Sequence, residues 1–420
     1  MPEFFNVLPP DEARELLFSE LTRPVEAEKV RATEALGRVT AAGIKAPHAL
    51  PTFRRSTMDG FAVRAEDTFG ASESLPAFLR VVGEVSMGRR ARHEIGVGEA
   101  VVVHTGGMIP ESADAVVQVE MTQAMGQRSA LDQDSFPYEI EVFKAMGVGQ
   151  NVLQVGEDVK EGDEVLAGSR LIRPQDVGGL VALGILEIEV ARRPRVAILA
   201  TGDEVVPPTE TIGPGKIRDI NSYTVAEQVR QAGGLPEVAG IVPDRFDELL
   251  ARARSALEAS DMLVMSAGSS VSVRDMTVEV IDRLGKPGVL LHGVATRPGK
   301  PTIVGVVDGK PVLGLPGNPV SAMIQFDMFG APAVYRLQGL AQMPRKGFVW
   351  ARLSQNLPSE SGREDYVPAR LEDGEQGLVA VPVFGKSNLI YTLVNADGLI
   401  KIPLNKAGVP AGELVEVRLF

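Results

Sequence analysis

At 420 residues the chain is longer than one hydrophobic core usually organises, so length alone points to roughly two to four domains. Its 44% hydrophobic and 23% charged residues are those of an ordinary globular protein and exclude a disordered, collagen-like or coiled-coil chain. The 43 basic against 55 acidic residues give a net charge of −12, which excludes a general nucleic-acid footprint, and zero cysteines exclude disulfides, thiolate nucleophiles, iron–sulfur clusters and Cys-based zinc sites.

The chain opens with MPEFFNVLPPDEARELL, which lacks the basic start and apolar core of a signal peptide, and no apolar run is long enough to cross a bilayer. A soluble cytoplasmic protein with no membrane or nucleic-acid partner is expected. A first helix is predicted from about Asp11 to Thr22, between Pro10 and Pro24, followed by an Ala-rich stretch through Ala42. The texture changes near Pro51. From Phe61 to Phe143 short β-rich runs (FLRVVGEV, EAVVVHT, DAVVQVE, YEIEVF) broken by Gly, Pro and Asp predict a small all-β module. Glycines 147, 149, 156, 162 and 168 then mark a loop-rich return.

From Pro194 to Gly339 strands alternate with helical patterns, which demands a parallel sheet with crossover helices. RVAILAT is read as a buried strand ended by Gly202, and a helix from about Ser222 to Ala232 is closed by Gly233 and Gly234. The strand EVAGIV follows, then a helix with Asp244 as its N-cap and Asp247 three residues on, then the strand DMLVMS. A helix around Met276–Leu284 and a strand near Val289–Val294 come next. TIVGVV and PVLGL are paired through Asp308-Gly309, and a last helix follows Pro319. Beyond Pro344 short strands with tight turns predict a second small β-domain or barrel.

Ligands of open parallel sheets bind outside the carboxyl ends of the strands. There Glu204 follows RVAILAT, Asp244 follows EVAGIV, and Asp275 closes the AGSSVSVRD stretch after DMLVMS. Asp244 and Asp275 each have a plain reading as helix caps. Three carboxylates at three strand ends nevertheless favour a shared cation such as Mg²⁺ bridging a phosphorylated substrate, since like charges held together are costly. The four histidines, His48, His93, His104 and His292, never fall at metal-ligand spacing. Opposite charge sits on TRPGKP, where Pro298 and Pro301 stiffen the presentation of Arg297 and Lys300; this is not a phosphate-binding P-loop, and a basic surface turn is the plain alternative. The loop from Pro316 opens the last helix near Pro319, and the Gly268–Ser270 segment offers Ser269 and Ser270 to a phosphate or is a simple connector. In the β-module Asp59 and Thr105 each sit beside glycines, in STMDG and HTGGMIP, where a tight turn is the alternative.

These motifs, in order with GEDVKEGDEVLAG, RPRVAILATGDEVV, LPGNPVSA and NADGLI, resemble the molybdopterin molybdenumtransferase (MoeA) family, related to the C-terminal domain of gephyrin, over the whole chain. The resemblance implies an α/β multidomain protein: a MoCF-type three-layer α/β/α domain with a parallel-rich sheet, an elongated N-terminal region, a small β-module and a C-terminal β-barrel. The implied boundaries are residues 1–55 with 145–192, 56–144, 193–342 and 343–420. It further implies an enzyme of molybdenum cofactor biosynthesis that inserts molybdate into the dithiolene of adenylylated molybdopterin and releases AMP with Mg²⁺. Carried over by position, Glu204, Asp244 and Asp275 look like the acids handling Mg²⁺ and pyrophosphate, with Asp59 and Thr105 joining them. Arg297, Lys300, Pro301, Arg363 and Ser387 look like the molybdate pocket, with Pro316 and Pro319 shaping its wall. A molybdopterin adenylyltransferase partner and a homodimer with shared active sites are also implied. The same edge would serve nucleotidyl transfer or hydrolysis, and a pterin-holding scaffold is the non-enzymatic alternative; the acidic set favours the enzyme.

Overall fold

Alternation of apolar residues in the segment after Pro51 builds a six-stranded sheet, as expected for the β-module. Its strands are β1 (Gly60–Val63), β2 (Ala77–Glu84), β3 (Glu99–Val103), β4 (Ala115–Gln118), β5 (Thr122–Ala124) and β6 (Tyr138–Val142), in the order β4-β1-β3-β2-β6-β5. Only β2 and β3 run parallel. Strand β1 is buried on both faces: Phe61 and Val63 pack into one apolar cluster and Ala62 into another. This computed structural model describes residues 7–125, 136–267 and 271–420. They group into two units, one of Gly43–Ala167 with Gly178–Ile185, which holds the β-module, and one of Met1–Ala42, Gly168–Val177 and Leu186–Phe420.

In the second unit the first helix, α1, spans Pro10–Glu20, two residues short of the expected end. The run RVAILAT forms β7 (Arg195–Thr201), a strand in contact with the cores on both faces. Val196 and Ile198 point into one core and Ala197 and Leu199 into the other, which is why the run is apolar throughout instead of alternating. Around it lie α2 (Asn221–Gln231), β8 (Leu235–Val242), α3 (Phe246–Glu258), β9 (Met262–Ala267), α4 (Val271–Leu284), β10 (Pro287–His292), β11 (Thr296–Arg297), β12 (Ile303–Val307) and β13 (Lys310–Pro316). The sheet order is β8-β7-β9-β13-β12-β10. The first four strands are parallel, and the hairpin β12–β13 turns at Asp308-Gly309, both with positive φ (52° and 82°), as its sequence predicts. Helices α1 and α2 contribute Ala13, Leu17, Val225 and Val229 to one core; α3 and α4 contribute Leu249, Ala253, Val280 and Ile281 to the other. This is the expected three-layer α/β/α arrangement.

Two helix starts differ from expectation. Helix α3 begins after Arg245, with no side-chain cap, and Asp244 is not its N-cap. Its carboxylate instead accepts the hydroxyl of Thr201 at 2.6 Å, from the end of the neighbouring strand β7. Helix α4 starts at Val271 rather than near Met276, so Asp275 sits inside the helix, exposed, and caps nothing. In both cases a charge-assisted bond or an earlier helix start won over the local cap pattern.

The chain then runs through α5 (Pro319–Gln325), with its proline at the first turn as expected, a five-residue π-turn and α6 (Ala331–Leu337). Beyond it β14 (Phe348–Leu353), β15 (Glu364–Gly374), β16 (Gly377–Pro382), α7 (Tyr391–Val394), β17 (Gly398–Ile402) and β18 (Leu414–Leu419) follow. The order β15-β16-β14-β18-β17 closes through β17–β15 pairing into a five-stranded barrel around Ala351, Ala369, Ile400 and Val417. The two-residue strand β11 of the α/β part adds in parallel to β15 at the barrel's rim.

A half-buried ion pair fixes the starts of the central strands. Arg192 forks onto Asp261 at 2.6 and 2.7 Å, and the Arg195 N–H donates to the same carboxylate at 2.7 Å. Burial alone pushes the Asp261 carboxyl up, but the Arg192 and Arg195 hydrogen bonds and the Arg192 and Lys310 charges outweigh it and hold it below the ordinary 3.8. A depressed folded value contributes stability above the unfolded value, lost as pH falls through the folded one. Asp261→Asn should therefore cost about 1.5–3 kcal/mol at neutral pH and flatten the acid side of the stability curve below about pH 4. Melting temperatures from pH 7 down to pH 2 test this, and parallel curves for the variant and the parent protein would contradict it.

Candidate active site

The RPGKP segment lies between β11 and β12, folded back so that the Val294 N–H donates to the Lys300 carbonyl at 2.9 Å and the Thr302 hydroxyl to that of Gly299 at 2.7 Å. Buried Gln325 of α5 clamps it from beneath, donating through Nε2 to Thr296 Oγ1 and the Pro298 carbonyl, each at 3.0 Å. Gly299 has φ +109°, and a Cβ there would lie 2.3 Å from Gln325 Nε2. Gly299→Ala should thus cost on the order of 1–3 kcal/mol and displace both flanking cations. Thermal denaturation and anion titration check this together; an unchanged melting temperature would contradict it.

This loop forms one wall of a cleft of about 1070 Å³ between the α/β part and the barrel. Of the residues singled out from sequence, Arg297, Lys300, Pro301, Pro316, Arg363 and Ser387 line it. Pro319 is buried as the first residue of α5 behind it, while its neighbours Asn318 and Val320 reach the cleft. Asn318 Nδ2 donates to Ser387 Oγ at 2.9 Å and the Val320 N–H to the Ser387 carbonyl at 3.1 Å, so the barrel's serine is fixed onto the start of α5. Further lining residues that sequence reasoning did not single out are Arg274, Asp365 and Tyr366. For Asp365 and Tyr366 the spacing within GREDY is the local signal. Arg363 Nε donates to Asp365 Oδ1 at 3.0 Å and its Nη1 pairs with Glu360 Oε2 at 3.0 Å. Burial first, then the hydrogen bond to Glu364 at 2.6 Å, pushes the Tyr366 hydroxyl well up, so it stays a donor at neutral pH. Arg274, Arg297, Lys300, Arg363 and Lys386 face two carboxylates, Glu360 and Asp365, in one concave space, the local basic pocket that an acidic protein needs for an anion.

Glu204, Asp244 and Asp275 do not line this cleft. Glu204 follows β7 and Asp244 follows β8, its neighbour in the sheet, so both lie past the carboxyl ends of adjacent parallel strands. The Glu204 carboxylate folds against Gly202, whose φ is +148° and where a Cβ would lie 2.8 Å from Glu204 Oε2. Among the described residues no three His, Asp or Glu side chains stand close enough to hold a metal ion alone. Ser269 and Ser270 lie outside the described residues.

In the β-module Asp59 Oδ1 accepts the Thr105 N–H at 2.9 Å, so the two motifs STMDG and HTGGMIP meet as one turn pair. Gly60 is required by packing: a Cβ there would lie 1.9 Å from the Val117 carbonyl of the next strand. His104, missed at the sequence level, bonds Glu84 Oε1 through Nε2 at 2.9 Å, and its Nδ1 stands 3.7 Å from Asp59 Oδ1.

A three-layer α/β domain whose cleft is completed by a small closed barrel, in a chain that also carries a β-module, defines a multidomain α/β protein with a cation-lined cleft. Models described as "MoeA N-terminal region (domain I and II)", "Probable molybdopterin binding domain" and "MoeA C-terminal region (domain IV)" match residues 8–184, 197–336 and 350–420. A molybdopterin molybdenumtransferase of Bacillus subtilis is 33% identical over 94% of this chain and 90% of its own, and one of Haemophilus influenzae is 32% identical over 98% of both. The crystal structure of a molybdopterin biosynthesis MoeA protein from Pyrococcus horikoshii OT3 superposes with a TM-score of 0.81 at 32% identity, over 99% of this chain and all of that one. The chain belongs to the MoeA family.

Proposed function

We propose that this chain is a molybdopterin molybdenumtransferase of molybdenum cofactor biosynthesis, a cytoplasmic enzyme that inserts molybdate into the dithiolene of adenylylated molybdopterin and releases AMP. The observation that carries the reading is the cleft, where Arg297, Lys300 and Arg363 converge from two folding layers on a space fit for a tetrahedral oxyanion. Pro301 and Pro316 stiffen its walls, and Ser387 adds a hydroxyl held in place by Asn318. The cations take up the charge on the molybdate oxygens as the sulfurs approach the metal, and the fixed loop geometry spares reorganisation during the step. Both sulfur ligands belong to the pterin, consistent with a chain that has no cysteine.

The pyrophosphate of the adenylylated pterin is assigned to the carboxyl edge of the sheet. There Glu204 and Asp244 would hold a Mg²⁺ ion, and Asp275 of α4, with Ser269 and Ser270 just before that helix in sequence, are assigned to the same substrate. Mg²⁺ commonly uses one or two protein carboxylates and takes its other ligands from phosphates and water, so two carboxylates at adjacent strand ends would suffice. When bound, the ion would neutralise charge on the departing AMP. The Thr201 hydroxyl bonded to Asp244 orients that carboxylate.

Asp59 and Thr105 are assigned to the same reaction from a second copy of the chain, in a homodimer with two shared sites. Their hydrogen-bonded turn supports a common role, and closed two-fold pairing is the commonest oligomer. A molybdopterin adenylyltransferase is the class of partner that must supply the substrate. Omitting molybdate or divalent cation separately from an AMP assay tests the reading. Full AMP release without any oxyanion would make the protein a hydrolase instead.

A further inference from the structure

A carboxylate in the wall of an anion site needs a reason, because it repels the ligand. Asp365 lines the cleft yet is only 3% exposed. It is the register partner of Arg297 where β11 pairs with β15, and one oxygen serves each neighbouring arginine: Oδ1 accepts Arg363 Nε at 3.0 Å, and Oδ2 stands 3.9 Å from Arg297 Nη1. Arg363 is engaged on its other side by Glu360, whose side chain is 75% exposed. One arginine comes from the α/β part and the other from the barrel, so Asp365 sits where the two halves of the cleft meet.

We propose that Asp365 is the positioning residue of the oxyanion cleft, a built-in counter-anion that holds the Arg363 and Arg297 guanidinia in place before the oxyanion arrives. Two like charges brought from separate elements repel, and a buried carboxylate between them removes that cost. By occupying the Nε edge of Arg363 it fixes the plane of the guanidinium, and with Glu360 on Nη1 the group is presented in one orientation. The arginines then lose their side-chain freedom on folding rather than on binding, so the cleft reads the shape of the oxyanion as well as its charge. Asp365 thereby makes the site selective: it lowers attraction for anions in general and keeps the geometry that suits one of them. The inference rests on the transferase reading for the identity of the oxyanion.

The test is calorimetric titration of the full chain with molybdate and with sulfate, for the parent protein, Asp365→Asn and Arg363→Lys. Asparagine keeps the shape but removes the charge that holds two cations; lysine keeps the charge but removes the Nε donor and the plane. Both variants are expected to bind molybdate about tenfold more weakly, and to lose about tenfold in discrimination against sulfate, with pterin affinity unchanged. A merely structural Asp365 would lower the melting temperature and weaken pterin and molybdate alike, leaving the molybdate to sulfate ratio intact, and that result overturns the proposal. So does tighter molybdate binding in Asp365→Asn with unchanged discrimination, which would make the carboxylate a source of repulsion only. Should Asp365→Asn fail to fold, Arg363→Lys decides alone: parent-like discrimination overturns the proposal and lost discrimination supports it. If the parent protein binds neither oxyanion, with or without pterin, the transferase reading falls and the proposal with it; if the parent binds molybdate and both variants match it, the proposal alone falls.

Discussion

Replacing Arg363 or Lys300 by alanine is expected to raise the molybdate concentration for half-maximal AMP release by about 10–100-fold, while pterin affinity changes little. Each side chain lines the cleft, and a charge-assisted hydrogen bond to an anion is worth about 1.5–3 kcal/mol, whose lower and middle part converts to that range. The effect should appear in the molybdate dependence because neither residue lies at the sheet edge assigned to the pyrophosphate. Titration of molybdate at saturating adenylylated pterin measures it. An unchanged dependence in both variants would remove them from the oxyanion site and return the RPGKP loop to a basic surface turn.

The second large effect is all-or-none. Asp59→Asn and Asp275→Asn should each abolish turnover, and mixing the two should restore it. When the variants are unfolded together in equal amounts and refolded, random pairing makes about half of the dimers mixed. In a mixed dimer with shared sites one site collects both lesions and the other none. About a quarter of all sites, and of the activity, should therefore return. Sites built within one chain would each retain a lesion, so a dead mixture with verified heterodimers would contradict sharing.

Much of the fold was legible because local pattern and tertiary environment agree. RVAILAT is apolar throughout because both of its faces are covered, and Asp308-Gly309 has the backbone freedom its hairpin turn needs. The caps were misread where a tertiary partner outbid a local one: Asp244 bonds Thr201 on the adjacent strand, a contact 43 residues away that no spacing rule contains. The barrel was legible as short strands with tight turns, but its closure through β15 and β17 depends on register.

The site divides the same way. Arg297 and Lys300 share one proline-stiffened loop and could be found by reading along the chain, whereas Arg363 and Ser387 reach the cleft from the barrel and were placed by family resemblance alone. Asp365 and Tyr366 were passed over because burial, not sequence, distinguishes an acid that holds arginines from one on a solvated strand. His104 shows the same limit, since its partners Glu84 and Asp59 are 20 and 45 positions away and only the sheet brings them to one edge.

The most direct measurement of the central claim is a single incubation of the protein with adenylylated molybdopterin, molybdate and Mg²⁺, with AMP and molybdenum-loaded pterin quantified together. A transferase predicts the two products in equal amounts, and neither in the absence of molybdate. AMP formed without a matching quantity of molybdenum-loaded pterin would contradict metal insertion, and no AMP at all would leave the chain a pterin-binding scaffold.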